Sequence, residues 1–168
     1  ADTEAEELIT AALLRLAPDV PVVGEEAVAA DPSLLDGLPG LPAYWLVDPI
    51  DGTSNFVEGT PDFGVMVAYV EAGEVAASWI WLPASEVLAS AERGAGARVD
   101  GRLIDAAAEP QHPTAELRGW AATKFMPPEV RAQLRPEAAE VLSVPPPQSA
   151  AIGYTRLLLG EADVSLFW

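Results

Sequence analysis

The apolar positions of this chain follow two rhythms, one of helical period and one of alternation. Ala5, Leu8, Ile9, Ala12, Leu13 and Leu16 recur at helical spacing, with Glu4, Glu6, Glu7 and Arg15 mostly on other faces, so residues 3–16 read as an amphipathic helix. Asp2 stands where an N-cap belongs, the acidic first turn suits the helix dipole, and Pro18 marks the exit. Pro21–Val23 is a short apolar run ending in Gly24-Glu25-Glu26, and residues 27–42, rich in Asp, Pro and Gly, read as a connecting loop with one helical turn. Ala43–Val47 predicts a buried strand running into Asp48-Pro49-Ile50-Asp51-Gly52-Thr53, with a short helix from Thr53. Gly64–Glu71 and Glu74–Trp81 flank an Ala72-Gly73 turn and form a hairpin by pattern, with further short strands at 86–92 and 97–99. Trp79 and Trp81 share one strand face, which predicts packing in a core or a subunit interface.

The second half changes character. Strands are predicted at 117–122, 141–144 and 163–168, and helices at 128–134 and 148–159. A meander followed by alternating strand and helix implies a layered α/β (α+β) domain. No internal repeat is present, and Pro145-Pro146-Pro147 is too short to link two domains. The expectation is one domain over 1–168, with 1–110 as one half and 111–168 as a smaller α/β half.

Composition narrows the chemistry. Half of the residues are hydrophobic and 21% charged, as in a folded globular chain. No apolar stretch approaches the ~18 residues of a membrane span, and no basic-then-apolar leader points to secretion. With no cysteine, disulfides and thiolate metal sites are excluded, which fits a reducing cytoplasm. The net charge of −17 argues against nucleic-acid binding, since such a field repels polyphosphate backbones. A small anionic substrate would need a local reversal of sign, which bound divalent cations supply. Most of the 26 acidic residues are read as solvated surface.

The informative segment is Trp45-Leu46-Val47-Asp48-Pro49-Ile50-Asp51-Gly52-Thr53-Ser54-Asn55-Phe56. Two carboxylates three residues apart leave the end of a buried strand, separated by a stiffening proline. Backbone N–H groups at the following helix start suit a phosphate oxygen, and carboxylates suit a hard cation such as magnesium. A bare Asp-x-x-Asp-Gly is equally a tight turn, and the alternate oxygen ligands of an EF-hand are missing. Gly24-Glu25-Glu26 changes the balance by adding carboxylates at the end of another short apolar run.

Together these segments resemble the inositol monophosphatase family, within the lithium-sensitive, magnesium-dependent phosphatases. Arg93-Gly94-x-Gly96-Ala97 with Asp100-Gly101 resembles the family's mid-chain hairpin, and Ser149-Ala150-Ala151 through Gly160-Glu161-Ala162-Asp163 its late helix and strand. The resemblance implies an αβαβα sandwich, a cytoplasmic homodimer, and hydrolysis of a small phosphorylated metabolite by metal-activated water, with two or three Mg2+ ions per site. It implies that Glu25, Asp48, the Ile50 carbonyl and Asp51 hold metal, with Glu26 a supporting neighbour. Gly52 and Thr53 would bind phosphate. The Thr53 hydroxyl, paired with Asp2, would act on the attacking water together with Glu25, and Ser149 and Ala150 would line the substrate pocket.

Some departures bear on substrate and activity. The family continues past the last strand to a Trp-Asp pair completing the second metal site and has two helices ahead of Asp2, so the chain reads as the middle of an enzyme of about 250 residues. Where inositol-specific members place a glutamate, a gapless reading puts Phe167. The substrate therefore stays open among inositol, sugar, polyol, histidinol and nucleotide phosphates. A catalytically impaired homologue that binds a phosphorylated ligand, or acts as a dimeric binding protein, is the alternative. His112, Arg93 and Lys124 read as surface residues, and Arg156 as an exposed or acid-paired position in an apolar helix.

Overall fold

The computed structural model describes residues 1–104, 117–122, 126–133 and 144–167. Helix α1 (Asp2–Leu16) leads to strand β1 (Val22–Gly24), helix α2 (Glu25–Ala30) and two 3-10 turns at Pro32–Leu35 and Leu38–Gly40. Strand β2 (Ala43–Asp51) and the short helix α3 (Thr53–Val57) follow, then β3 (Gly64–Glu71), β4 (Glu74–Leu82), β5 (Val87–Glu92), β6 (Gly96–Val99) and β7 (Arg102–Leu103). Beyond these lie β8 (Gly119–Ala122), α4 (Pro128–Arg131), α5 (Ala150–Leu158) and β9 (Val164–Phe167). The expected strand 141–144 and the end of helix 128–134 fall largely outside the described residues, as do His112, Lys124 and Trp168.

Strands β1 to β7 form one sheet in chain order, and β8 and β9 pair in parallel as a second. Among the described residues only the β1–β2 pair is parallel in the large sheet; the rest is the predicted meander. The two faces of the sheet are separated by strand alternation. Gly64, which alternates with Met66 and Ala68, abuts Ala151 of α5. Gly24, aligned with Val47, abuts Glu6 of α1 on the opposite face. Helix α5 also contacts β9, so the described layers run α1, large sheet, α5, small sheet. This is the α/β architecture expected from the sequence.

Some boundaries depart from expectation. Ala1 occupies the N-cap and Asp2 is the first helical residue, so Asp2 is not the cap. Leu8 and Leu16 are 69% and 75% exposed, whereas Glu6 is 9% exposed, so the covered side of α1 runs through Ala5, Glu6, Ile9 and Leu13 and leaves Leu8 and Leu16 outside. Residues 25–30 are helical, so a helix begins ahead of the segment 27–42 expected to be a loop with one helical turn. Trp79 and Trp81 are each 37% exposed, hence half-covered and not core; Trp79 lies 6.1 Å from Trp45, ring to ring. Buried core comes instead from Trp45, Val47, Val70, Ala89 and Trp120.

The β3–β4 turn explains its own sequence only in part. Glu71 pairs with Glu74, leaving Ala72 and Gly73 at φ 51° and 78°. Both central residues of a type I′ turn need positive φ, which glycine accepts and alanine resists. Ala72→Asn, giving the preferred Asn-Gly pair, is expected to stabilise the fold by about 1 kcal/mol, read as a rise in denaturant midpoint with unchanged m-value.

Candidate active site

The site is assembled by register. Parallel pairing sets Val22 against Trp45, Val23 against Leu46 and Gly24 against Val47, so Glu25 leaves β1 abreast of Asp48. The β2–β3 ladder slips between Asp48 and Asp51, around the fully buried Pro49. That irregularity ends the strand, and Gly52, at φ 88°, turns the chain into α3. A Cβ on Gly52 would meet Asp62 O at 2.9 Å and Ser149 Cβ at 3.1 Å, so this turn needs glycine for conformation and for space.

Glu25 and Asp48 come within hydrogen-bonding reach of each other. Burial, then the charges of Glu25 and Asp51, push the Asp48 carboxyl up from 3.8 to about 7, opposed by a hydrogen bond from the Ile50 backbone. Asp48 Oδ1 is buried with no hydrogen-bond partner. A buried orphan carboxylate oxygen beside two further carboxylates is costly unless something positive meets it. Hard oxygen donors of this kind fit Mg2+ or Ca2+, so the residues present fit a hard divalent cation. Among the described residues, no three His, Cys, Asp or Glu side chains already converge as a finished ligand shell.

Asp51 turns one oxygen elsewhere. Its Oδ2 accepts a hydrogen bond from Ala151 N, 2.7 Å away, in the first turn of α5. The Ile50 carbonyl accepts the Thr53 hydroxyl at 3.0 Å. Among the described residues no hydrogen bond joins Thr53 to Asp2, so that expected pairing is not made: the local i−3 carbonyl takes the hydroxyl's proton. Ser149 is 5% exposed and caps α5, its Oγ accepting from Ile152 N at 3.3 Å; Ala150 is the first residue of that helix. Ser149 stands beside Gly52, with its hydroxyl used in the cap. Glu26 faces α1, where the Thr3 hydroxyl donates to it at 3.4 Å.

Two participants were not singled out in the sequence. Asn55 Nδ2 donates to Asp62 O at 2.7 Å and to Gln148 O at 3.1 Å, stapling α3 to the approach of α5. Its place in the Asp-x-x-Asp-Gly-Thr-x-Asn run was the available signal. Glu6 accepts from Glu26 N at 2.8 Å and Ala27 N at 3.0 Å, capping α2 from another helix. Its signal was weak, a carboxylate two turns before Leu13 on the same flank. Of the cations mentioned earlier, Arg93 donates to Val75 O and pairs with Glu74, and Arg156 pairs with Glu161 over the Trp120 ring. A cavity of about 1370 Å³ opens between the sheet and α5, with Glu25 and Asp48 in its wall beside Leu46, Met66, Tyr154 and Leu157. The side chain of Phe167 lies outside the described residues.

The raised Asp48 value carries a sign. The folded value, about 7, exceeds the ordinary 3.8, so ionising Asp48 costs stability that grows as pH rises from about 4 to 7. With divalent ions chelated, Asp48→Asn is expected to melt about 2–4 °C above the wild type at pH 8, the shift of ~1 kcal/mol in a domain this size. The gap should close toward pH 5; a variant melting lower at pH 8 would contradict the repulsion.

The inositol monophosphatase family matches over residues 1–168. A fructose-1,6-bisphosphatase/inositol-1-monophosphatase of Thermotoga maritima is 37% identical over 103 residues, 61% of this chain and 37% of that protein. A histidinol-phosphatase of Chlorobaculum parvum is 39% identical over 108 residues, 64% of this chain and 39% of that protein. Among solved structures, a Thermotoga maritima IMPase superposes with a TM-score of 0.76 at 27% identity, over 99% of this chain and 61% of that one. The chain thus spans well under two thirds of the length of the curated relatives it matches. With that coverage and this fold, the chain belongs to the inositol monophosphatase family.

Proposed function

We propose that the protein hydrolyses a small-molecule phosphate monoester at the Glu25–Asp48–Asp51 site, with magnesium as the cofactor. The observation that carries this reading is Asp48 Oδ1, buried and unpartnered between like charges at the mouth of a cavity. Glu25, Asp48, Asp51 and the Ile50 carbonyl would hold the metal. Divalent cations in such a site lower the pKa of a bound water and neutralise charge on the departing oxygen.

The chain's own groups do the remaining work. Gly52 and Thr53 start α3, where first-turn amides lack intrahelical acceptors and can receive phosphate oxygens. Thr53 Oγ1, resting on Ile50 O, holds a proton donor and acceptor next to the carboxylates. The capped start of α5 closes the pocket wall at Ser149 and Ala150. The mostly apolar cavity wall would face the leaving group's side. The relatives are named for fructose bisphosphate, inositol phosphate and histidinol phosphate alike, so the substrate is proposed only as a phosphorylated small metabolite.

Phosphate release by the intact protein from inositol, sugar, histidinol and nucleotide monophosphates is the direct test. Turnover should vanish on chelation and return with Mg2+. Asp48→Asn should lower kcat/KM by more than the ~10–100-fold typical of supporting residues around a metal. Chelator-resistant turnover, or full activity in Asp48→Asn, would sink the assignment.

A further inference from the structure

Glu6 is a nearly buried carboxylate on α1, on the flank it shares with Leu13, while Leu8, Leu14 and Leu16 are exposed. Its two oxygens accept the amides of Glu26 and Ala27, the second and third residues of α2. These are the amides immediately after Glu25. An N-cap side chain normally serves such amides, but the N-cap here is Gly24, which has none. A Cβ at Gly24 would collide with the Glu6 carboxyl group, so the cap is supplied across the fold and the local one is excluded.

We infer that Glu6 is a positioning residue for Glu25, a reading that rests on Glu25 and Asp48 being cation ligands. Two physical consequences follow from the capping geometry. First, the clamp fixes the turn from β1 into α2, and with it the direction in which Glu25 leaves the sheet beside Asp48. Second, it occupies the positive end of α2. Without Glu6 the free amides would attract the nearest anions, the side chains of Glu25 and Glu26 in the same first turn. Glu25 would then fold back on its own helix instead of facing Asp48. The orientation of α1 fits this demand: the two hydrogen bonds of Glu6 to α2 are made while Leu8 and Leu16 stay exposed.

The test is Mn2+ binding to the intact protein, followed by the loss of the free-ion EPR signal, alongside thermal melts with divalent ions chelated. Glu6→Ala is expected to weaken Mn2+ binding ~10–100-fold, the range typical of residues that orient metal ligands. Glu6→Gln, which keeps one acceptor oxygen, should fall between it and the wild type. Val99→Ala, a buried change on remote β6, should lower the melting temperature and leave Mn2+ affinity unchanged. Should Glu6→Ala not fold, Glu6→Asp decides, because its shorter side chain cannot span both amides. Wild-type affinity in Glu6→Ala or Glu6→Asp, with only the melting temperature reduced, overturns the positioning role while sparing the cation reading. Absence of saturable Mn2+ binding in the wild type overturns both.

Discussion

The parallel pairing of β1 with β2 is the constraint on which the rest of the site depends. Among the described residues it is the sole parallel contact in the large sheet, and its register places Gly24 against Val47. The next residues on each strand are Glu25 and Asp48, so two acids emerge side by side at the sheet's end. A slip of one residue would turn Asp48 to the α1 face and separate the pair. The buried Val23, Trp45 and Val47 oppose such a slip, because it would exchange their covered positions for exposed ones. An apolar strand pair therefore holds a polar arrangement that is unfavourable in isolation.

The other half of the site is held by polar bonds between segments distant in sequence. Ala151 N meets Asp51 across 100 residues, and the Asn55 amide reaches Gln148 O across 93. Between them they bring the capped start of α5 onto the Gly52 turn. Ser149, tied into its own helix cap, adds a side chain that touches the position a Gly52 Cβ would need. The motif around Asp48 is thus local in sequence, while its final geometry depends on a helix from the far end of the chain.

Much of this was legible beforehand, and the reasons differ from element to element. The β3–β4 hairpin was readable because alternation and a glycine-containing turn are both local signals. The Asp48–Asn55 run was readable because few other structures need two acids, a proline and a glycine at that spacing. The start of helix α2 was missed because six residues show hardly two turns of pattern, and because its cap lies on α1 instead of at Gly24. The covered side of α1 was misjudged at Glu6 for the same reason, since periodicity points toward Leu8 and Leu16 while Glu6 binds the α2 amides. The Thr53 hydroxyl was assigned to Asp2, but a carbonyl three residues back is the nearer acceptor. Each miss involves a polar group whose partner was set by tertiary structure.

These polar contacts divide the acids at the site into two kinds. Glu6 and Asp51 each accept backbone amides in the first turn of a helix, α2 and α5 respectively. Such amides stabilise a carboxylate and anchor it, so these two acids bring repulsion already offset by the fold. Asp48 has no such partner at Oδ1, and Glu25 faces it. The unfavourable electrostatics thereby centres on Asp48, in the wall of the cavity, where the charges of Glu25 and then Asp51 act on it. A chain of net charge −17 has carboxylates in abundance, and nearly all of them can turn to water. What distinguishes Asp48 is one buried oxygen, Oδ1, without a hydrogen-bond partner, and that is the property which makes a cation the natural complement to this position.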